Sequence, residues 1–214
     1  MLAILDYKAG NQTSVLRALN HLNIPATITA DPQVIAAAEG IIFPGVGSAA
    51  QAMTVLGESG LDVCLRDAVA RHQPVLGICL GCQILLESSE EGPTRTLGLI
   101  EGRCKKFPAG LVQEDGTQAP VPHMGWNGVR TVREDPLFAG IDKDAQFYFV
   151  HSYYVETTPE LALGWTEYGG MKFCSVYGRP GLWATQFHPE KSGRYGLCLL
   201  RNYSAYCKEV SRAL

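Results

Sequence analysis

The sequence predicts an α/β fold. Its expected form is a three-layer arrangement with a mostly parallel central sheet, helices on both faces and an antiparallel extension. Three observations predict it. Short, unbroken apolar runs alternate with amphipathic segments through the first half, the pattern of parallel strands buried on both faces. From Gly98 to about Thr185 the strand signals crowd together, with Gly, Pro and Asp in the turns, as antiparallel strands allow. The chain has 214 residues, 46% apolar and 18% charged, which suits one domain over residues 1–214 with a substantial core.

The elements follow in order. LAIL (2–5) is a strand that ends at Asp6. Val15, Leu16, Leu19 and Leu22 recur at helical spacing within 11–22. TIT (27–29) is β-branched. Asp31-Pro32 caps a helix through VIAAA, with proline at its first position. GIIF (40–43) is a buried strand that breaks at Pro44-Gly45. Leu61, Leu65, Ala68 and Val69 mark another helix. PVLGIC (74–79) is a strand, and CQILLESS continues it as a helix. The extension comprises VRTV, QFYFVHSYYVE, LALGWTE, KFCSVY and LWATQF. A last helix is capped by Ser192 and starts near Arg194.

Composition excludes several classes. Net charge is −3 and no Lys/Arg-rich run is present, so a nucleic-acid partner has no electrostatic footprint. MLAILDYKAG carries no basic n-region, and no apolar run approaches ~18 residues, so neither a secretion signal nor a membrane span is expected. Seven cysteines, odd in number and scattered, read as reduced thiols in a cytoplasmic chain.

The segment GICLGCQ (77–83) carries the chemistry. Buried-strand residues precede Cys79, helix follows it, and glycines stand two residues to either side. Gly-x-Cys-x-Gly on a strand-to-helix turn is a nucleophile elbow, and a helix N-terminus there stabilises a thiolate and an oxyanion. Cys82 completes a Cys-x-x-Cys, so a redox pair stays open; the flanking glycines favour the elbow. A zinc site would need a second ligand pair, which is absent, and no metal is expected.

A cysteine nucleophile needs a base, and the base an orienter. His188 in QFHPEKSG follows an apolar strand, and Glu190 stands two residues on. In extended backbone the two would share a side. His21 and His72 lie in amphipathic helices and read as surface residues. The N–H of Leu80 is one oxyanion donor, and FPGVGS (43–48) offers a second from Val46 or Gly47.

DYKAGNQTSV, FPGVGS, LGICLGCQILLESSEEG, LGLIEG, PHMGWN, YFVHSYYV and QFHPEKSG together resemble the class I, triad-type glutamine amidotransferases over essentially the whole chain. PGVGS, HMGWN and FVHSYYV resemble the branch that serves histidine biosynthesis. The resemblance implies a glutaminase that needs no cofactor. Cys79, His188 and Glu190 would be the triad. Gln83 and Glu91 would hold the amino-acid end of glutamine, in a pocket shared with Gly47, Leu80, Ser152 and Tyr153. Ammonia would pass to a separate cyclase of (β/α)8 barrel form, the other half of a heterodimer, which would use it on a ribulosyl-formimino aminoimidazole ribonucleotide. Asn11, Trp126, Tyr148 and Lys191 would face that partner. Two positions depart from the family pattern: Lys8 where glycine is common, and Cys82 where methionine is common. The second raises the question of a Cys79–Cys82 disulfide.

Overall fold

Alternation of side chains along the strands decides the layering. The computed structural model describes residues 1–213. In β1 (Leu2–Leu5), Leu2 and Ile4 join one apolar cluster while Ala3 and Leu5 join the other, as the two-residue period of a strand requires. Five strands run parallel in the order β2 (Ala26–Thr29), β1, β3 (Gly40–Gly45), β4 (Val75–Cys79) and β14 (Leu182–Thr185). One face carries α1 (Gln12–His21) and α6 (Gly193–Ala213). The other carries α2 (Pro32–Ala37), α3 (Ala49–Ser59), α4 (Leu61–Ala70) and α5 (Leu80–Ile84). The expected mostly parallel, helix-covered sheet is what forms.

The extension is mainly antiparallel as expected, with one parallel pairing, Ser88–Ser89 against Arg103–Cys104. Beyond β14 the sheet continues through β13 (Met171–Arg179), β11 (Tyr153–Glu156), β7 (Arg103–Lys106) and the two-residue strands β5 (Ser88–Ser89) and β6 (Thr94–Arg95). Strand β12 (Ala162–Tyr168) also pairs with β13, and β9 (Arg130–Thr131) pairs with β12. QFYFVHSYYVE is two strands, not one. It splits at Ser152 into β10 (Gln146–His151), which forms a separate ribbon with β8 (His123–Gly128), and β11 in the main sheet. The split lets one segment serve two sheets.

Four local readings need correction. CQILLESS leaves the helix after Ile84, and Ser88-Ser89 is extended. The carbonyls of Ile84, Leu85 and Leu86 accept the N–H groups of Leu97, Leu99 and Gly98, so the returning chain ends the helix by taking its last acceptors. Strand β3 runs through Pro44-Gly45 instead of breaking there. His72 lies in the turn after α4, at φ 60°. Ser192 does not cap α6: its hydroxyl donates to the His188 carbonyl at 2.6 Å and accepts from Tyr148 N–H at 2.9 Å. The helix α3, capped by Ser48 through Gln51 N–H, is not legible from periodicity. The Asp31 cap forms as expected, accepting from Gln33 N–H at 2.8 Å with Pro32 at the first position.

Helix α6 is anchored at the amino-terminal edge of the sheet. The Tyr203 hydroxyl is buried, 2.7 Å from the Ile41 carbonyl and 2.9 Å from that of Pro74. The Pro74 carbonyl also accepts from Ile41 N–H at 2.8 Å, so losing the hydroxyl does not orphan it. Tyr203→Phe is therefore expected to cost about 1–2 kcal/mol, read as a lower urea midpoint with unchanged m-value.

Candidate active site

Because β1, β3, β4 and β14 run parallel, the loops after them gather at one edge of the sheet, where open α/β folds hold their ligands. Those loops supply 6–11, 45–48, 79–80 and 186–192.

Cys79 ends β4 at φ 54°, ψ −105°, a backbone region that costs a non-glycine residue about 1–3 kcal/mol. The neighbouring glycines permit it. A Cβ at Gly81 would stand 1.8 Å from the Phe43 carbonyl oxygen, and one at Gly77 would stand 2.7 Å from Leu85 Cδ1. The turn breaks the alternation of β4: Cys79 packs in the same cluster as Leu76 and Ile78, while Cys82 falls in the other. The backbone at Cys79 is thus a sharp strand-to-helix elbow. Cys82 is wholly buried, and burial pushes its thiol well above the usual range. Both cysteines are free. With only five residues, α5 has little macrodipole to offer. Leu80, its first residue, has an N–H with no acceptor within the helix.

His188 is buried and its Nδ1 meets Glu190 Oε1 at 2.8 Å. The geometry differs from the extended one expected: Pro189–Lys191 is a 3-10 turn, and the turn folds the carboxylate back under the ring. Nε2 has no hydrogen-bond partner. Burial alone would lower the His188 pKa. The charge of Cys79, then the bond to Glu190 and its charge, outweigh it and push the value up to about 10. Burial would raise Glu190, but the bond to His188 and its charge hold the carboxyl below the ordinary range, helped by Asn11.

Asn11, which the resemblance implies faces the partner, also reaches the His–Glu pair. Its side-chain amide donates to Glu190 Oε1 at 2.8 Å and lies 3.2 Å from His188 Nδ1. It stands at the N-cap of α1, yet its side chain accepts no helix N–H and is turned instead toward the His–Glu pair. Trp126 is 55% exposed, with Tyr148 edge-on at 6.2 Å and exposed Lys191 on the adjoining turn.

A cleft of about 340 Å³ opens over Cys79 and brings together Val46, Gly47, Leu80, Gln83, Glu91, Ser152 and Tyr153. Every pocket residue singled out in the sequence lines it. Glu91 gives one oxygen to Ala49 N–H at 2.7 Å, at the start of α3. Val46 is where the expectation is incomplete: its N–H donates to the Ala9 carbonyl at 3.0 Å, so it does not serve an oxyanion in this state.

Sequence reasoning passes over three residues here. Gln186 is fully buried with Nε2 3.9 Å from Cys79 Sγ. Its place two before His188 is the available signal. His123 and His151 are buried and meet, Nδ1 to Nε2, at 2.9 Å. Burial lowers His123 to about 4. It lowers His151 to about 3, only partly offset by a bond to the Tyr153 carbonyl.

Those two shifts set an acid-side stability slope. A base whose folded pKa lies below its unfolded value, here 6.5, takes up a proton on unfolding in the window between. The unfolded state then binds more protons, so stability falls as pH drops from 6.5 toward 4. His188, shifted upward, stays protonated in both states across the lower part of that window and adds no slope. Urea midpoints measured from pH 7 to 4.5 are expected to decline, and His123→Phe to decline less steeply.

A model of the family "Glutamine amidotransferase class-I" matches residues 3–202. Imidazole glycerol phosphate synthase subunit HisH of Desulfovibrio desulfuricans is 61% identical, over 98% of this chain and 96% of its own. The HisH subunit of Moorella thermoacetica is 45% identical over 99% and 98%. Among solved structures, a glutamine amidotransferase superposes with a TM-score of 0.74 at 16% identity, covering 97% of this chain and 98% of that one. PurLQS from Thermotoga maritima gives 0.73 at 16%, over 96% and 97%. These two share the fold. The chain belongs to the class I glutamine amidotransferases and, within them, to the family of the imidazole glycerol phosphate synthase subunit HisH.

Proposed function

We propose that Cys79, His188 and Glu190 are the triad with which this glutaminase hydrolyses glutamine to glutamate and ammonia, as one domain over residues 1–214. The observation that carries the reading is the buried His188–Glu190 pair at 2.8 Å, its Nε2 otherwise unpartnered, coupled to a cysteine on a strained elbow. The thiolate of Cys79 attacks the side-chain amide carbon of glutamine. His188 protonates the departing ammonia, leaving a γ-glutamyl thioester. His188 then takes a proton from water, which attacks the thioester and releases glutamate. Glu190 holds the ring with Nε2 toward sulfur. In the cleft, the free oxygen of Glu91 suits the substrate's α-ammonium, with Gly47, Gln83, Ser152 and Tyr153 as the remaining walls.

The oxyanion needs Leu80 N–H and a second donor. Rotation of the Gly45–Val46 peptide would bring Val46 N–H from the Ala9 carbonyl into the cleft, so the resting chain hydrolyses glutamine slowly. The relatives are synthase subunits by name. We assign this chain a cyclase partner of (β/α)8 form in a heterodimer, docked across Trp126, Tyr148 and Lys191, with Asn11 acting from beneath on the triad. The ammonia serves the formation of imidazole glycerol phosphate and the aminoimidazole carboxamide ribotide in histidine biosynthesis. That role carries a cytoplasmic location. Among the described residues no helix is long and apolar enough to cross a membrane.

Ammonia release from glutamine, with and without the cyclase and its ribonucleotide, tests the reading. Stimulation by the partner is expected, with none left in Cys79→Ala. Glu190→Gln should lose roughly 10²- to 10⁴-fold in kcat while KM changes little. A Cys79→Ala chain that still released ammonia would overturn the triad.

A further inference from the structure

A line of buried hydrogen bonds runs from the β8–β10 ribbon to the nucleophile, and its polarity is determined at every link. The Tyr153 carbonyl can only accept, so His151 Nδ1, at 2.7 Å, carries a proton. His151 Nε2 therefore accepts, and His123 Nδ1, at 2.9 Å, carries a proton. His123 Nε2 in turn accepts from Asn127 Nδ2 at 3.3 Å. Asn127 cannot turn over: its Nδ2 also donates to the Glu167 carbonyl, and its Oδ1 accepts from Gly128 N–H, both at 2.8 Å. On the other side, the Tyr153 carbonyl accepts from Gln83 Nε2 at 3.3 Å. The second hydrogen of that nitrogen goes to Gln186 Oε1 at 3.1 Å. With its oxygen so held, Gln186 presents its Nε2 to Cys79 Sγ at 3.9 Å. That N–H gives the sulfur a hydrogen-bond donor held in one place.

We propose that His123 is a positioning residue of the glutaminase site: through His151 it pins the Tyr153 carbonyl, and that carbonyl holds the Gln83 amide so that Gln186 turns its N–H onto Cys79. The proposal rests on the triad reading for the reaction itself. His123, His151, Gln83 and Gln186 are all buried, so an unmade bond in the line is not replaced by bulk water. The same line fixes the Ser152–Tyr153 wall of the cleft.

A structural role for His123 would run through its ring, which stacks on Phe149 at 4.8 Å and Tyr168 at 4.0 Å between centroids. Two substitutions separate the roles. His123→Phe keeps a stacking ring and loses the Nδ1–H. His123→Asn loses the ring and keeps an N–H donor at the δ position. Gln186→Met tests the far end without touching the stack.

The experiment uses the complex with the cyclase. It measures kcat and KM for glutamine, and the rate at which iodoacetamide alkylates Cys79, located by peptide mass spectrometry. In His123→Phe and Gln186→Met, the alkylation rate and kcat are expected to fall about tenfold, the worth of one lost hydrogen bond. His123→Asn should stay within about threefold of wild type despite its lost ring. The double variant His123→Phe/Gln186→Met should fall no further than either single one, because both cut the same line. Wild-type alkylation and kcat in His123→Phe would overturn the proposal. So would His123→Asn falling as far as His123→Phe, or a double variant showing the product of the two single losses. A wild-type complex that released no ammonia while Cys79 alkylation still separated the two His123 variants would sink the triad reading and leave the positioning role standing.

Discussion

The site depends on one close approach, that of Gly81 to the Phe43 carbonyl. No side chain fits between them, since a Cβ would stand 1.8 Å from that oxygen. The approach lets the chain leave β4 on a left-handed residue and enter α5 at once. The parallel register pairs Gly45 with Cys79, so the glycine-rich loop after β3 is delivered beside the nucleophile. His188 arrives from β14, the next strand over. Each group is carried by a different strand, and the sheet's regularity spares any loop from finding its own position.

Much of this was legible from residue types. The alternation of apolar runs and helices marked the parallel half, and Gly-x-Cys-x-Gly with His-Pro-Glu marked the candidate triad. What stayed hidden depended on chain segments meeting from far apart. CQILLESS reads as one helix because nothing local announces that residues 97–99 will take its carbonyls. QFYFVHSYYVE reads as one strand because both halves have strand composition, and only pairing tells β10 from β11. Ser192 has the composition of a cap but finds better partners across the fold. His123 and His151 are remote in sequence, and their contact is a product of the β8–β10 register, His151 opposite His123.

Local rules fail most often where the chemistry sits. Lys8, Asn11 and Cys79 all have positive φ without being glycine, and all three belong to the loops around the site. Lys8 stands where the family pattern favours glycine, and its φ of 60° gives the physical reason for that preference. Asn11 turns its side chain to Glu190 and accepts no helix N–H with it. Tyr7 keeps a buried hydroxyl without a partner near the elbow. Such departures from local preference are held in place by the packing around them.

The fastening of α6 by Tyr203 lies at the edge of the sheet opposite the chemistry. The molecule thus keeps its strained, exacting groups at one end and an ordinary, well-satisfied anchor at the other. For anyone wishing to make this chain hardier, the amino-terminal edge is the natural workshop. Ile41, Pro74 and Tyr203 meet there, away from the turn that carries His188.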